Sequence, residues 1–279
     1  MSPGTLFLAA RPGPGGRAGI LGAPLDLTES CRAGTRAAAQ RIRALSHSIE
    51  TYSPVLDLDL EDLDLADWGD VDLAGRSMDA ALAAIEAAFA AVLSHGFGLL
   101  LGGEHTVALA GFRAVRRHYP DAALIQLDAH LDIRQQYEGE AICHATWVNR
   151  VGEEFGFGNV VQLGIRSGTR EEFGRARRDC LLTSFDLDLP EPIREQLAGR
   201  PIYLSLDIDV LDPGTAPGTG CPEPGGATFR ELLRALYALR GLRVVGADIC
   251  EVLPDTDPAD VTAVAAAKIA RELLLMFAR

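Results

Sequence analysis

Short runs of apolar residues recur along the chain, and stretches with helical periodicity separate them. A strand reads as a continuous apolar run when both faces of a parallel sheet are covered, and alternation with helices is typical of βαβ crossovers. The pattern therefore predicts the α/β class, as a three-layer α/β/α sandwich with a mostly parallel central sheet. The apolar runs and the residues that follow them are "AGILGAPLD", "GFGLLLGGEH", "AALIQLDAH", "VVQLGIRSG", "IYLSLDIDV" and "LRVVGADICE".

Two helical stretches are well delimited in this pattern. Residues 77–95 open on a serine that can cap a helix and close before a glycine. Residues 259–278 form the second stretch. Because no linker or low-complexity stretch interrupts the chain, we expect residues 1–279 to fold as one domain, with residues 1–17 as a flexible N-terminal segment.

Residues 56–73, "LDLDLEDLDLADWGDVDL", carry enough aspartates to raise the question of a calcium site. Calcium loops need a defined turn geometry, whereas alternation of leucine with acid is typical of a half-buried segment with a solvated face. We therefore assign no metal to this segment.

The formal net charge is −13 over 279 residues. Nucleic acids and anionic membranes are bound through basic surfaces, so this balance argues against both as partners. A small cationic substrate suits an acidic protein better. No run of about 18 apolar residues is present, so the sequence predicts no membrane span.

The five cysteines are widely spread, odd in number and never in a CxxC pair. This usage predicts neither a disulfide framework nor a zinc ribbon, and it is typical of reduced thiols in a cytoplasm. The stretch "MSPGTLFLAARPGPGG" has no basic residue before its short apolar part, which is unlike a secretory signal peptide. Together these observations predict a cytoplasmic location.

Three of the predicted strands end in side chains that can bind a metal. Ligands of open α/β sheets bind beyond the carboxyl ends of the strands, and residues i, i+2 and i+4 of an extended segment face one way. Acids brought together there repel one another unless a cation lies between them, so the pattern predicts a metal centre. The side chains are Glu104 and His105 after one strand, Asp128, His130 and Asp132 after the next, and Asp207 and Asp209 after a third.

The donor set indicates the kind of metal. Four aspartates and two histidines exceed what one zinc ion requires, and oxygen-rich sets suit octahedral ions such as Mn²⁺. Two such ions about 3.5–4 Å apart can share a water and lower its pKa to near neutrality, which makes water a nucleophile. Three further histidines, His47, His95 and His118, lie inside or at the ends of predicted helical stretches and are interpreted as structural.

The order of these motifs resembles the ureohydrolase family, which contains arginases and agmatinases, and within it the bacterial and archaeal agmatinases most closely. The combination of GGEH, DAHLD and LDIDVLDP is far more specific than any one of the three, and the likeness runs over residues 20–275. The resemblance implies an arginase-like fold, two Mn²⁺ per subunit, and a homo-oligomer (trimer or hexamer). The matching stretches are "GAPLD", "CRAGTRAAAQRIR", "LGGEHT", "QLDAHLDIRQQYEGEAICHAT", "GIRSG", "SLDIDVLDPGTAPGTGCPEPGG" and "GADICEVLPDTD".

The resemblance also implies a role for each site residue. Asp128 and Asp207 would bridge the two ions, and Glu251 in "EVLPDTD" would hold the substrate guanidinium. His144 in "CHAT" would contact the substrate and shuttle protons near the leaving amine, while Asp132 would carry the proton of the attacking water to that amine. One ion would be held by His105, Asp128, Asp132 and Asp207, and the other by Asp128, His130, Asp207 and Asp209.

Agmatine is the substrate that this pattern favours, with putrescine and urea as products. Arginases carry polar residues that recognise an α-amino acid in the loop after DAHxD, whereas Glu138 and Glu140 in this loop favour a cationic tail. The positive charge of Arg134 would disfavour a cationic tail, unless its side chain points into the scaffold. N1-aminopropylagmatine is the nearest alternative, and arginine is another. Guanidinobutyrate and formimidoylglutamate fit an acidic loop less well because their tails are acidic.

Two other kinds of function stay open on the sequence. A regulatory or structural homologue without catalysis would keep the fold alone. A two-metal phosphoesterase would need basic residues around the metals, where this chain has acids. The departures from the family pattern are modest: Cys221 replaces a common Thr, and Ala145 replaces a common Gly.

Overall fold

The six apolar runs predicted as strands all form strands in the computed structural model of the protein, which describes residues 5–278. Eleven strands are present among these residues. They are β1 (Arg11–Pro12), β2 (Ala18–Ala23), β3 (Tyr52–Ser53), β4 (Leu58–Asp59), β5 (Leu65–Asp70), β6 (Phe97–Gly102), β7 (Ala123–Leu127), β8 (Val160–Leu163), β9 (Leu182–Thr183), β10 (Pro201–Asp207) and β11 (Arg243–Cys250).

Nine of the described strands form one sheet, in which every neighbouring pair is parallel. Their order across the sheet is β1-β5-β2-β6-β11-β10-β7-β8-β9, and β3 pairs with β4 in a separate antiparallel ribbon. The last two strands of the chain, β10 and β11, therefore lie between β6 and β7 at the centre of the sheet. The predicted mostly parallel sheet is confirmed.

Helices cover both faces of this sheet. Leu99 and Leu101 of β6 belong to one buried apolar cluster and Leu100 to another, since successive residues of a strand point to opposite faces. The first cluster includes residues of α1, α6, α7 and α8, and the second includes residues of α2, α3, α4 and α5, so the three-layer prediction is confirmed. The helices are α1 (Ala38–Ser46), α2 (Met78–Leu93), α3 (Val107–His118), α4 (Trp147–Phe155), α5 (Arg170–Asp179), α6 (Glu191–Leu197), α7 (Phe229–Ala238) and α8 (Val261–Phe277).

The two helices delimited from the sequence are present with small changes at their ends. Ser77 caps α2 by accepting a hydrogen bond from the backbone of Ala80. The last helix begins at Val261 rather than at residue 259, because Ala259 and Asp260 have left-handed backbones with φ of 55° and 60°. Within residues 5–278, no helix combines the length and the apolar character needed to cross a membrane.

The first edge of the sheet holds the N-terminal residues in place. Residues 1–4 of the expected flexible segment lie outside the described part, but Phe7 is buried and its N–H donates to Asp67 at 2.9 Å. Asp67 is also bound by Arg43 of α1, at 2.8 and 2.9 Å. Asp67 is the buried exception in the acid-rich residues 56–73, whose other acids are exposed or half-buried.

The sheet order brings the predicted site residues to one place. β6, β11, β10 and β7 are successive neighbours, and all four run in the same direction. Asp207 of β10 lies level with Cys250 of β11, and Leu206 lies level with Leu127 of β7. The residues that follow these strand ends therefore meet at a single edge, which is where parallel sheets bind their ligands.

The Arg43–Asp67 pair gives a stability prediction. Replacing Arg43 by Leu leaves Asp67 buried without its counter-charge, so we expect the free energy of unfolding in urea to fall by about 3 kcal/mol. Arg41→Leu is the matched control, because Arg41 lies on the same helix in a partly exposed pair with Asp260. The control should cost about 1 kcal/mol or less. Equal losses in the two variants would contradict the prediction.

Candidate functional site

His105, just after β6, lies at the centre of three aspartates. Its Nδ1 atom is 3.0 Å from Oδ2 of Asp128 and 3.2 Å from Oδ2 of both Asp132 and Asp207. All four side chains are buried, and they come from three different strand ends. The structure thus brings together the four residues predicted for one metal ion.

A second cluster shares Asp128 with the first. His130 Nδ1 lies 2.8 Å from Oδ2 of Asp209 and 3.7 Å from Oδ1 of Asp128. Asp128 therefore presents one oxygen to each histidine, as a bridging carboxylate does. Asp207 turns Oδ2 towards His105, while its Oδ1 accepts a hydrogen bond from the backbone N–H of Asp209 at 2.8 Å. All six predicted ligands lie at one site.

The tautomer of His105 indicates that the first cluster is built for a cation. Its Nε2 lies 2.9 Å from the hydroxyl of Ser205, which donates in turn to Asp248 at 3.0 Å. Because the hydroxyl proton points to Asp248, His105 donates from Nε2, so in its neutral form it keeps a bare lone pair on Nδ1. That Nδ1 atom is buried without a hydrogen-bond partner and faces three carboxylate oxygens. A lone pair among anionic oxygens repels them, and a metal ion removes the repulsion.

The acids of the site also need positive charge to stay ionised. Burial, aided by the charge of Asp128, raises the pKa of Asp132 to about 6. Burial raises the pKa of Glu251 to about 8 and holds the pKa of Asp207 well above its usual range. A bound cation lowers such values by favouring the carboxylate form. The charge of the site and its geometry therefore both indicate that the site binds a cation.

Two of the predicted functional acids have left-handed backbones. Asp132 has φ 53° and Glu251 has φ 63°, a region that non-glycine residues rarely occupy. Asp132 accepts a hydrogen bond from the indole of Trp147 at 2.8 Å, and Glu251 accepts one from the backbone N–H of His105 at 2.6 Å. Backbone strain of this kind collects at functional sites, where the surrounding contacts maintain it.

A loop of residues 24–34 covers the site, and sequence reasoning missed its role. Glu104 holds this loop by accepting hydrogen bonds from the backbones of Leu27 and Thr28 at 2.5 and 2.6 Å. Thr28 Oγ1 and Ser30 Oγ then lie 3.1 and 2.7 Å from the two ring nitrogens of His144. Glu104, predicted as one of two metal-competent side chains after β6, therefore anchors the loop and does not join the metal cluster.

A chain of buried amides supports the shared aspartate. Gln126 donates to Asp128 Oδ2 at 2.6 Å, and Gln162 donates to Gln126 Oε1 at 2.7 Å. Thr183 donates to Gln162 Oε1 at 3.2 Å, which fixes the orientation of both amides. Sequence reasoning did not predict these hydrogen-bonded amides. The available signal was that the two glutamines lie in otherwise apolar strands, which is an unusual place for a polar side chain.

His144 is half-buried near His105, His130 and Arg134. Burial, together with neighbouring positive charge such as that of Arg134, lowers the pKa of His144 to about 4. The ring is therefore neutral near pH 7, with one nitrogen as donor and the other as acceptor. Such a ring can pass a proton through itself.

A cavity of about 230 Å³ opens onto the metal cluster. Glu138 and Glu140 are exposed and do not contribute to the wall of this cavity, so the prediction that they select a cationic tail is wrong. Cys221 does line the cavity, and burial raises the pKa of its thiol to about 11, which keeps it in the unreactive protonated form. The charged residues of the wall beyond the metal cluster are Glu29, Arg32, Arg134, Glu172 and Glu251.

The three histidines interpreted as structural contact the scaffold. His47 Nε2 lies 3.0 Å from the carbonyl oxygen of Leu6, and His118 Nε2 lies 3.1 Å from that of Ala90. The ring of His95 packs edge-on against the indole of Trp68 at a centroid distance of 5.5 Å.

Fold and site together define a class of protein: a parallel α/β/α sandwich with a buried His/Asp cluster at the carboxyl edge of its central strands. The model of the arginase family matches residues 17–276. The chain belongs to the arginase family, and it is a ureohydrolase, an enzyme that hydrolyses guanidino compounds. The resemblance inferred from the motifs is thereby confirmed.

Known proteins match over nearly the whole chain. The agmatinase of Bacillus anthracis is 45% identical over 262 residues, which cover 92% of this chain and 90% of the relative. A candidate agmatinase from Clostridium difficile has a crystal structure with TM-score 0.90 and 38% identity, covering 95% of this chain and 98% of that one. The guanidinobutyrase of Pseudomonas aeruginosa is 35% identical, over 92% of this chain and 85% of the relative.

The second glycine of "GGEH" gives a test of the loop contact. A Cβ at Gly103 would lie 1.8 Å from the carbonyl oxygen of Leu25, so the loop of residues 24–34 has to move in Gly103→Ala. We expect a loss of about 2 kcal/mol in unfolding free energy and a fall in kcat/KM for guanidino substrates.

Gly174→Ala is the control for this variant. Gly174 lies in α5 with no neighbour within 4 Å of its Cβ position, so alanine there should stabilise the helix by up to about 1 kcal/mol. If Gly103→Ala kept wild-type stability and activity, the close approach of the loop would be unimportant.

Proposed function

We propose that this protein is an agmatinase, which binds two Mn²⁺ per subunit and hydrolyses agmatine to putrescine and urea. One observation carries the proposal: five of the six candidate ligands line the same cavity as Glu251 and His144, with Asp128 behind them. The match to agmatinases over nearly the whole chain supports it.

The two Mn²⁺ ions are assigned to the two histidine-centred clusters. His105 Nδ1 and the Oδ2 atoms of Asp128, Asp132 and Asp207 would hold one ion. His130 Nδ1, Asp209 Oδ2 and Asp128 Oδ1 would contribute to the other, with Asp207 as a further bridge. The chemistry that such a pair supplies when bound is a water acidic enough to attack near neutral pH.

Glu251 is assigned to the guanidinium group. Its Oε1 is held by the backbone N–H of His105, while Oε2 lies on the cavity side near Gly220. A planar guanidinium donates parallel hydrogen bonds to a carboxylate, which fixes the plane and hence the face of its carbon that water attacks. Burial disfavours the charged form of Glu251, so a cationic substrate is the partner that stabilises it.

Asp132 and His144 are assigned to proton transfer. Departure of putrescine requires a proton on the leaving nitrogen, because an amine anion is a very poor leaving group. Asp132, oriented by Trp147, would take the proton released by the attacking water and deliver it to that nitrogen. His144 contacts the hydroxyls of Thr28 and Ser30, so its neutral ring would exchange protons between the cavity and the covering loop.

Hydrolysis of 4-guanidinobutyrate is the second candidate. Two arginines, Arg32 and Arg134, line the cavity, and either could bind the carboxylate of an acidic tail. The Pseudomonas relative described as a guanidinobutyrase supports this alternative. The two candidates share the metal centre and Glu251 and differ only in the tail of the substrate.

Urea release from a panel of guanidino compounds tests the assignment. We expect Mn²⁺-loaded protein to hydrolyse agmatine with a higher kcat/KM than arginine, N1-aminopropylagmatine or 4-guanidinobutyrate. Removal of metal with a chelator should abolish urea release and lower the melting temperature, because a ligand that binds only the native state stabilises it. Higher kcat/KM with another compound would refute the agmatine assignment, and no urea from any compound would refute the enzyme assignment.

Glu251→Gln tests the role of that side chain. The amide keeps the shape but loses the charge that pairs with guanidinium, so kcat/KM for agmatine should fall about 100-fold or more. The content of bound Mn²⁺ should stay at the wild-type level, since Glu251 is not assigned to either ion. Glu195→Gln, at an exposed position on α6, is the control and should leave kcat/KM unchanged. Loss of metal in Glu251→Gln would show instead that Glu251 supports the metal centre.

A further inference from the structure

Arg134 and Glu172 form an ion pair in the wall of the substrate cavity. Arg134 Nε donates to Glu172 Oε1 at 3.1 Å, and both side chains line the cavity. The guanidinium of Arg134 also stacks on Tyr137, with 4.9 Å between Cζ and the ring centroid. Arg134 therefore lies in the cavity and not in the scaffold.

The position of Glu172 is fixed by a helix end. Thr169 and Glu172 form a capping box at the start of α5: Glu172 Oε2 accepts from the backbone of Thr169 at 2.8 Å, and Glu172 N donates to Thr169 Oγ1 at 3.1 Å. One oxygen of the carboxylate is thus committed to the helix and the other to Arg134. Because the cap holds this carboxylate still, its negative charge stays beside Arg134.

Tyr137 links this pair to the reacting end of the cavity. Its ring lies edge-on to the ring of His144, at a centroid distance of 5.6 Å. Arg134 and His144 thus contact the same ring, and the positive charge of Arg134 contributes to the lowered pKa of His144. Arg134 therefore borders the space that a substrate occupies beyond its guanidinium group.

The pairing of charges in the cavity wall decides which substrate tail the cavity accepts. Beyond the metal cluster and Glu251, the described charged residues of the wall are Glu29 and Arg32, which are opposite in sign, and Arg134 and Glu172, which are paired. An unpaired arginine attracts a carboxylate and repels an amine, whereas a neutralised one does neither strongly.

We propose that the Arg134–Glu172 pair determines which tail charge the enzyme accepts, with Glu172 neutralising Arg134 so that an amine-tailed guanidine can bind. This inference rests on the proposed function of the same cavity. It assigns a specificity role to Glu172, a residue that belongs to a helix cap. It also explains how a cavity that contains two arginines can serve a cationic substrate.

Glu172→Gln is the decisive variant. Glutamine keeps the volume and can also serve at the third position of a capping box, so the helix end is retained while the charge on Arg134 is left unpaired. The ratio of kcat/KM for 4-guanidinobutyrate to that for agmatine should rise about tenfold. Arg134→Gln leaves Glu172 unpaired and should lower the same ratio by a similar factor. The double variant has neither charge, so its ratio should return close to that of the wild type.

Two controls separate tail charge from general damage. Butylguanidine has an uncharged tail, so its kcat/KM should change little in either single variant while the two charged substrates move in opposite directions. Glu171→Gln alters an exposed acid in the same helix turn and should leave the ratio unchanged. Melting temperatures of all variants report whether the capping box has survived.

The outcomes distinguish the inference from the function on which it rests. If wild-type protein hydrolyses agmatine but neither single variant moves the ratio, or all three substrates lose activity equally, the pair is structural and the inference is wrong. If the wild type prefers 4-guanidinobutyrate and the ratio still shifts as described, the agmatine assignment fails and the role of the pair stands. A wild type that releases no urea overturns both.

Discussion

Repulsion among buried acids is the constraint on which the site depends. Three aspartates converge on Nδ1 of His105 within hydrogen-bonding distances, and burial together with the charges of neighbouring aspartates drives Asp132 and Asp207 towards the protonated form. Protonation would remove the repulsion, but it would also leave the site without anionic ligands. Positive ions remove it and keep the ligands, so a metal-dependent enzyme of the arginase family is the consistent reading of this geometry.

The fold and the meeting of the candidate metal ligands could be predicted from sequence because one rule covers both. Apolar runs mark the strands of a doubly covered parallel sheet, and the residues that follow such strands share an edge. His105 and Asp128 follow β6 and β7, and Asp207 is the last residue of β10, so their meeting is a property of the topology. His130, Asp132 and Asp209 reach the same place through irregular backbone rather than the expected extended spacing, since Asp132 is left-handed and Asp209 lies in a 3-10 turn of residues 208–210.

Loop conformation could not be predicted in the same way. Glu104 and His105 are adjacent in sequence, yet one anchors the loop of residues 24–34 and the other joins the metal cluster. Glu138 and Glu140 have the charge expected of a selective wall but point to solvent. Irregular backbone has no periodicity, so its side-chain directions depend on tertiary contacts that the sequence pattern does not record. Glu172 lines the cavity, but its sequence pattern indicates only a helix-capping role, so the pattern did not reveal its position at the site.

The insertion of β10 and β11 between β6 and β7 has a consequence for the order in which the protein folds. Residues 105 and 251 become neighbours only when the last strands of the chain enter the middle of a sheet whose flanks come from earlier segments. The candidate metal ligands are spread over residues 105–209, and contacts of such long sequence separation form slowly. The site between these strands is therefore complete only once β10 and β11 have entered the sheet, so a ligand that binds there would report a late step of folding.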